Sequence, residues 1–213
     1  YHNKKWQVAS QADLWHRYVK ESDSLICGSF ISYFLFARNK KYIVTLEPKY
    51  NAPSIKYSNT HLKVIAFISD SYSKSWLPRH ISWSNITDIL TPYRKSLLHT
   101  GFFRPLDENN IYSFPWCVSE DNIKNVNFIK NDCKILGFGK TGSEVYDLRD
   151  WSFNTGRLST FDYAGSGNKK FSGKEYYNWL NTFNACVVAV SSQDLYNYTV
   201  AKYFEIPSQG LLL

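Results

Sequence analysis

Methionine is absent from the 213 residues, even at position 1. A chain that opens at Tyr1 is expected of a trimmed protein or of a piece of something longer. Long apolar runs are also missing. The longest, Leu25 to Ala37, is broken by Gly28, Ser29 and Ser32. It falls short of the ~20 apolar residues that a membrane-spanning helix needs, so it reads as a buried core segment, and no transmembrane segment is expected. No signal or transit peptide is visible. The four cysteines, Cys27, Cys117, Cys133 and Cys186, lie far apart with no Cys-x-x-Cys pair. That spacing suggests neither a zinc site nor a disulfide scaffold and fits reduced thiols in a cytoplasmic protein. Repeats and low-complexity tracts are absent, and the sequons at Asn85 and Asn197 read as accidents of an Asn-rich chain.

What the sequence does have is apolar and aromatic bulk and a modest positive charge. Apolar residues make up 44% and charged residues 20%, which excludes wholesale disorder. The 25 Lys and Arg against 18 Asp and Glu give +7. These cations come as pairs (Lys4-Lys5, Lys40-Lys41, Lys169-Lys170) and not as runs, without a zinc-finger or aromatic RNA-binding signature. A nucleic-acid footprint needs clustered basic residues, so the expectation is solvated lysines with a preference for anions, and no nucleic-acid partner. A small phosphate-bearing ligand fits that charge.

The order of elements is informative. Ser10 to Lys20 sets Leu14, Trp15, Tyr18 and Val19 on one helical face. Ser24 to Cys27 reads as a buried strand and Phe30 to Ala37 as a helix. Tyr42 to Leu46, Leu62 to Ile68 and Asp88 to Leu90 read as strands, with a helix from Tyr93 to Thr100 whose start tolerates Pro92. From Gly101 to Lys130 the pattern lapses into a linker. It resumes with strand Cys133 to Phe138, helix Ser143 to Trp151, strand Leu158 to Asp162, helix Gly173 to Asn184, strand Cys186 to Val190, helix Thr199 to Glu205 and an apolar run from Gly210 to Leu213. Near-continuous apolar strands alternating with helices predict an α/β protein with parallel sheets covered on both faces. Two lobes are expected, 1–115 and 116–213.

Open parallel sheets bind ligands beyond their carboxyl ends, which singles out Glu47, Asp70, Pro92 and the segments 137–142, 162–167 and 191–194. The turn from Gly137 to Gly142 contains Gly-Lys-Thr. It fails the phosphate-loop pattern, since Lys134 stands five residues before Gly139 where glycine is required. Gly137, Gly139 and Gly142 do fit G-x-G-x-x-G, with Asp162 about 20 residues on. Two readings stay open: a plain strand-to-helix turn, or backbone N–H groups and Lys140 facing a diphosphate. Glu205 ends a short helix, where the dipole disfavours a carboxylate. Facing the sheet edge, it could accept two hydrogen bonds from a ribose; otherwise it is a solvated or capping group.

The run Tyr-x-Tyr-Thr-x-Ala-Lys-Tyr-Phe-Glu-Ile-Pro-x-x-Gly, Tyr196 to Gly210, resembles the donor-binding end of glycosyltransferases of the GT-B fold, especially the group-1-like and spore-maturation-type families. Glu144 to Arg149 is similar to their Tyr-Pro-Leu-Arg segment, with Asp147 where proline is common. Ile65 to Asp70 and Ile89 to Tyr93 resemble strand ends of their N-terminal lobe. The likeness spans residues 24 to 213.

The resemblance implies two Rossmann-like lobes, the N-terminal one shortened. It implies transfer of a sugar from a nucleoside-diphosphate sugar to an acceptor hydroxyl on a glycan or glycoprotein, independent of metal, in a chain without Asp-x-Asp and with no cofactor besides the donor substrate. Carried over, Glu205 would bind the donor ribose, and Lys140, with Arg149, would face the diphosphate. Ser191, Ser192, Thr199 and Lys202 would lie near the phosphates, and Asp70 would be the catalytic acid or base. His16, His61, His80 and His99 are runner-up bases. Two departures stand out: Asn197 replaces the first glutamate of a common two-glutamate pattern, and Ser71 to Ser73 replace the histidine that usually follows the aspartate. The alternatives are a non-catalytic sugar- or nucleotide-binding lobe and, more remotely, a Rossmann-type oxidoreductase.

Overall fold

The computed structural model describes residues 20–22, 40–46, 63–123, 134–162, 171, 173–196 and 198–213. The expected strand Ser24 to Cys27 and helix Phe30 to Ala37 lie outside these residues, as does the expected helix Ser10 to Lys20 apart from Lys20. The described residues form two compact units that divide between Pro115 and Trp116. Each unit is α/β with a parallel sheet.

The first unit holds β1 (Tyr42–Leu46), β2 (Lys63–Phe67), α1 (Leu77–Ser84), β3 (Asp88–Thr91), α2 (Arg94–Thr100) and β4 (Ile111–Ser113). The strands lie in the order β1-β2-β3-β4, all parallel, with Val44 opposite Ile65, Ala66 opposite Ile89, and Ile89 opposite Ile111. β-Branched residues suit the pleated, buried surface these strands supply. Leu77 and Ile81 from α1 and Leu97 from α2 close over Val64, Ala66 and Ile89 to form the core. α1 ends at Asn85, whose left-handed backbone (φ 52°) turns its N–H back to the Ile81 carbonyl; α2 ends the same way at Gly101. These are the left-handed caps that Asn and Gly tolerate best.

The segment read as a linker carries β4. Only Ile111 of its three residues is buried, so the strand is too short and polar to register as periodicity; its pairing with β3 makes it. α1 also escaped the sequence pattern. Its inward positions are Leu77, His80, Ile81 and Ser84, a helical spacing in which two of four members are polar.

His80 packs edge-on to Trp76 at 5.5 Å and lies 5.7 Å from the Trp83 ring. It is 1% exposed, its Nε2 is 3.3 Å from the Ser84 hydroxyl, and its Nδ1 has no hydrogen-bond partner. Burial lowers its pKa to about 4. The unfolded imidazole binds a proton near pH 6.5 while the folded one does not, so this contribution to stability is whole above about pH 6.5 and is lost as pH falls toward 4. The full loss is roughly 3 kcal/mol. Urea unfolding between pH 7.5 and 4.5 should show this slope in the wild type and not in His80→Phe; equal slopes would contradict it.

The second unit holds β5 (Ile135–Gly139), α3 (Asp147–Phe153), β6 (Ser159–Asp162), α4 (Gly173–Leu180), β7 (Ala185–Val187) and α5 (Lys202–Glu205). The sheet order is β6-β5-β7, parallel throughout, and Leu212 bridges Ala185 in parallel beyond β7. Leu136 and Phe138 from β5, Tyr176, Tyr177 and Leu180 from α4, and Ile206 and Leu211 near the C-terminus build the core. Gly137 lets α3 approach: a Cβ there would meet Phe153 Cε1 at 2.8 Å and Leu158 Cδ1 at 2.9 Å. Several elements are shorter than the sequence suggested. The expected helix from Ser143 is a 3₁₀ turn, Glu144–Tyr146, followed by α3, and the expected helix from Thr199 begins only at Lys202. Among the described residues, no helix is long and apolar enough to cross a membrane.

Candidate functional site

The order β6-β5-β7 places the central strand first in sequence. The chain leaves β5 toward one side of the sheet, and β7 and the Leu212 bridge lie on the other. In open parallel sheets, ligands bind where the connections diverge in this way, at the carboxyl ends of the two inner strands. β5 ends there at Gly139, with Lys140 next in the chain, and β7 ends at Val187, two residues before Ala189.

Two cations meet at this edge. The Lys202 ammonium donates to the Phe138 carbonyl and lies 3.6 Å from the centre of the Phe138 ring. The Arg149 guanidinium, on a residue only 6% exposed, donates to the carbonyls of Lys140 (2.8 Å) and Ala189 (3.2 Å) and stacks 4.4 Å over Tyr146. A Cβ on Gly139 would lie 2.8 Å from both Arg149 Nη1 and Lys202 Nζ, which locates the two cations around one glycine. Burial, with help from the Arg149 charge, lowers the Lys202 pKa to about 7, while Cys186 and Glu205 act in the opposite direction.

The serines stand on the next loop. Ser192 gives its N–H to Asp147 Oδ1 at 3.0 Å and its hydroxyl to Asp147 Oδ2. Bonds from Ser192, first its side chain and then its backbone, bring the Asp147 carboxyl down to about 2. Ser191 donates to the Glu144 carbonyl and accepts from Gln193 N–H. On the glycine turn, the Gly142 N–H donates to both carboxylate oxygens of Asp150 at 3.1 Å.

The expected residues therefore separate. Arg149 and Lys202 come together at the end of β5, and Ser191 and Ser192 are tied to α3. Lys140 and Thr199 are exposed. Glu205 is buried and its Oε2 accepts a 2.9 Å bond from the Tyr176 hydroxyl. That phenol is pushed well above its ordinary range, by burial first and then by the Glu205 charge. The carboxylate thus has a partner inside the core, and a ribose would have to share it. The Gly142 amide, one of those expected to meet a diphosphate, is taken by Asp150. Sequence reading passed over Asp150 and Tyr176 and noted Asp147 only as a substitute for proline.

Asp70 follows β2 in the first unit, with a left-handed backbone (φ 46°, ψ 47°) that aspartate tolerates. Its carboxylate makes no capping bond; its backbone carbonyl instead accepts from the Ser73 N–H and hydroxyl. The surrounding protein raises its pKa against the Lys74 charge, but the residue is exposed, and solvent screening leaves that shift no energetic weight. Among the described residues no cluster of three or more His, Cys, Asp or Glu is placed to hold a metal ion. The chain matches no protein-family model, no curated protein and no solved structure.

Proposed function

We propose that the second unit binds a nucleoside-diphosphate sugar at the carboxyl ends of β5 and β7, and that the chain is a sugar transferase. The observation that supports this reading is the pairing of Lys202 and Arg149 around Gly139 at the end of the central strand. Transfer builds negative charge on the departing nucleoside diphosphate, and fixed cations at low dielectric stabilise that charge as it forms. The charge supports this ligand class: two clustered cations on a parallel-sheet edge suit a diphosphate better than a neutral glycan. The exposed ammonium of Lys140 and hydroxyl of Thr199 are free to reach a ligand's outer groups.

The test is titration with UDP and GDP, followed by assays of UDP- and GDP-sugar hydrolysis and transfer. Lys202→Met should weaken diphosphate binding by about tenfold or more, equivalent to ~1.4 kcal/mol, and leave free sugar without effect. A bound anion favours the ammonium, so affinity should hold level below pH 7 and fall as pH rises past it, relative to Lys202→Met. Equal affinity in the two proteins would overturn the reading.

The serines and tyrosine of Ser71 to Ser73, standing where the resembling families carry a histidine after the aspartate, favour a second reading, a lobe that binds the nucleotide without turnover. Binding with no hydrolysis or transfer, and with Asp70→Asn indifferent, selects that outcome.

A further inference from the structure

One helical turn touches both loops at the sheet edge. Asp147, Arg149 and Asp150 all belong to the first four residues of α3. Asp150 holds Gly142 N–H on the loop after β5, and Asp147 holds Ser192 through both its N–H and its hydroxyl on the loop after β7. Between them, the Arg149 guanidinium divides its donors between Lys140 of the first loop and Ala189 of the second. Ser191 adds a 3.5 Å bond to the Glu144 carbonyl, just ahead of the same turn. The Ser192–Asp147 bond reaches 45 residues along the chain, and α3 joins the two loops.

From these contacts we propose that Asp147, Arg149 and Asp150 form a brace that fixes the separation of the β5 and β7 loops, and that the two aspartates are positioning residues for the diphosphate site. The inference rests on the functional reading above. Side chains spanning an otherwise open edge reduce the ordering that a ligand must impose, and preorganisation raises affinity for that reason. The carboxylates act through the backbone: they occupy the amides of Gly142 and Ser192, so the ligand is met by Lys202 and not by those N–H groups. The contrary outcome is that the carboxylates stand where a phosphate would sit and compete with it. The two roles predict opposite effects of removing the carboxylate.

The experiment compares Asp147→Ala and Asp147→Asn with the wild type and with Lys202→Met, by UDP and GDP titration and by amide hydrogen exchange. Asparagine keeps an acceptor for the Ser192 N–H and can rearrange its hydrogen bond with the hydroxyl; alanine keeps neither. The brace predicts that the Ser192 amide exchanges about tenfold faster in Asp147→Ala and nearly normally in Asp147→Asn. It also predicts that diphosphate affinity drops by about tenfold in the alanine variant and recovers in the asparagine one. Tighter binding in Asp147→Ala overturns the brace in favour of competition, and unchanged affinity with unchanged exchange overturns it outright. If the wild type binds neither nucleotide, the functional reading falls, and exchange at Ser192 alone decides whether the brace exists.

Discussion

Gly139→Ala is expected to lose nucleoside-diphosphate binding and to lower the stability of the second unit by about 3 kcal/mol. Two effects add. The backbone at Gly139 has φ +126°, a region that L side chains rarely adopt. The new methyl would also lie 2.8 Å from Arg149 Nη1 and Lys202 Nζ and 3.0 Å from Arg149 Cζ. Lysine is long enough to swing aside. The guanidinium is held by the carbonyls of Lys140 and Ala189, so it yields only by giving those bonds up. Gly142→Ala is the control, because that residue also has positive φ (+74°) but its Cβ would meet nothing within 4 Å. It should cost only the backbone strain, about 1 kcal/mol. Thermal unfolding separates the two variants, since each kcal/mol moves Tm by roughly 4–8 °C in a unit of this size. Equal Tm values would mean that crowding at Gly139 has no role.

Arg149→Met should act on both stability and charge. The side chain is buried and donates to two carbonyls on different loops. Methionine fills much of the volume but takes this donor from the carbonyls of exposed Lys140 and half-buried Ala189, at about 1 kcal/mol for each hydrogen bond lost. Loss of the stacking on Tyr146 adds a smaller amount. Lys202 responds in the other direction. Its pKa is lowered to about 7 by burial and by the Arg149 charge, so removing that charge should raise it toward the ordinary lysine value. An NMR titration of the Lys202 side chain in Arg149→Met reads this directly. A midpoint that stays near 7 would mean that burial alone sets it and that the two cations do not share one site.

The sequence was most legible where apolar runs are continuous. β1, β2, β3 and β5 fall on short runs rich in apolar residues, such as Val64–Phe67 and Leu136–Phe138, and with their parallel pairing they make the α/β class readable. β4 and α1 were not legible, because Ile111 is one apolar residue among polar neighbours and because His80 and Ser84 occupy inward positions that resemble a polar face. At the site, the Gly137 to Gly142 turn and the cations Arg149 and Lys202 could be picked out by residue type. The partners of those groups could not. The Gly142 amide goes to a carboxylate eight residues on, and Glu205 goes to a tyrosine hydroxyl 29 residues back. Such bonds depend on how α3 and α4 pack on the sheet, and local composition does not encode them. Asp147 is the instructive case. It stood out in sequence as a departure from the proline of the resembling families, and in the fold that carboxylate is what holds Ser192.

The most direct test of the account is a crystal structure with UDP or GDP bound. The account predicts diphosphate oxygens within hydrogen-bonding distance of Lys202 Nζ at the end of β5, with the Asp147–Ser192 bonds kept. A nucleotide bound elsewhere, with Lys202 still lying on the Phe138 ring and meeting no phosphate, would contradict it.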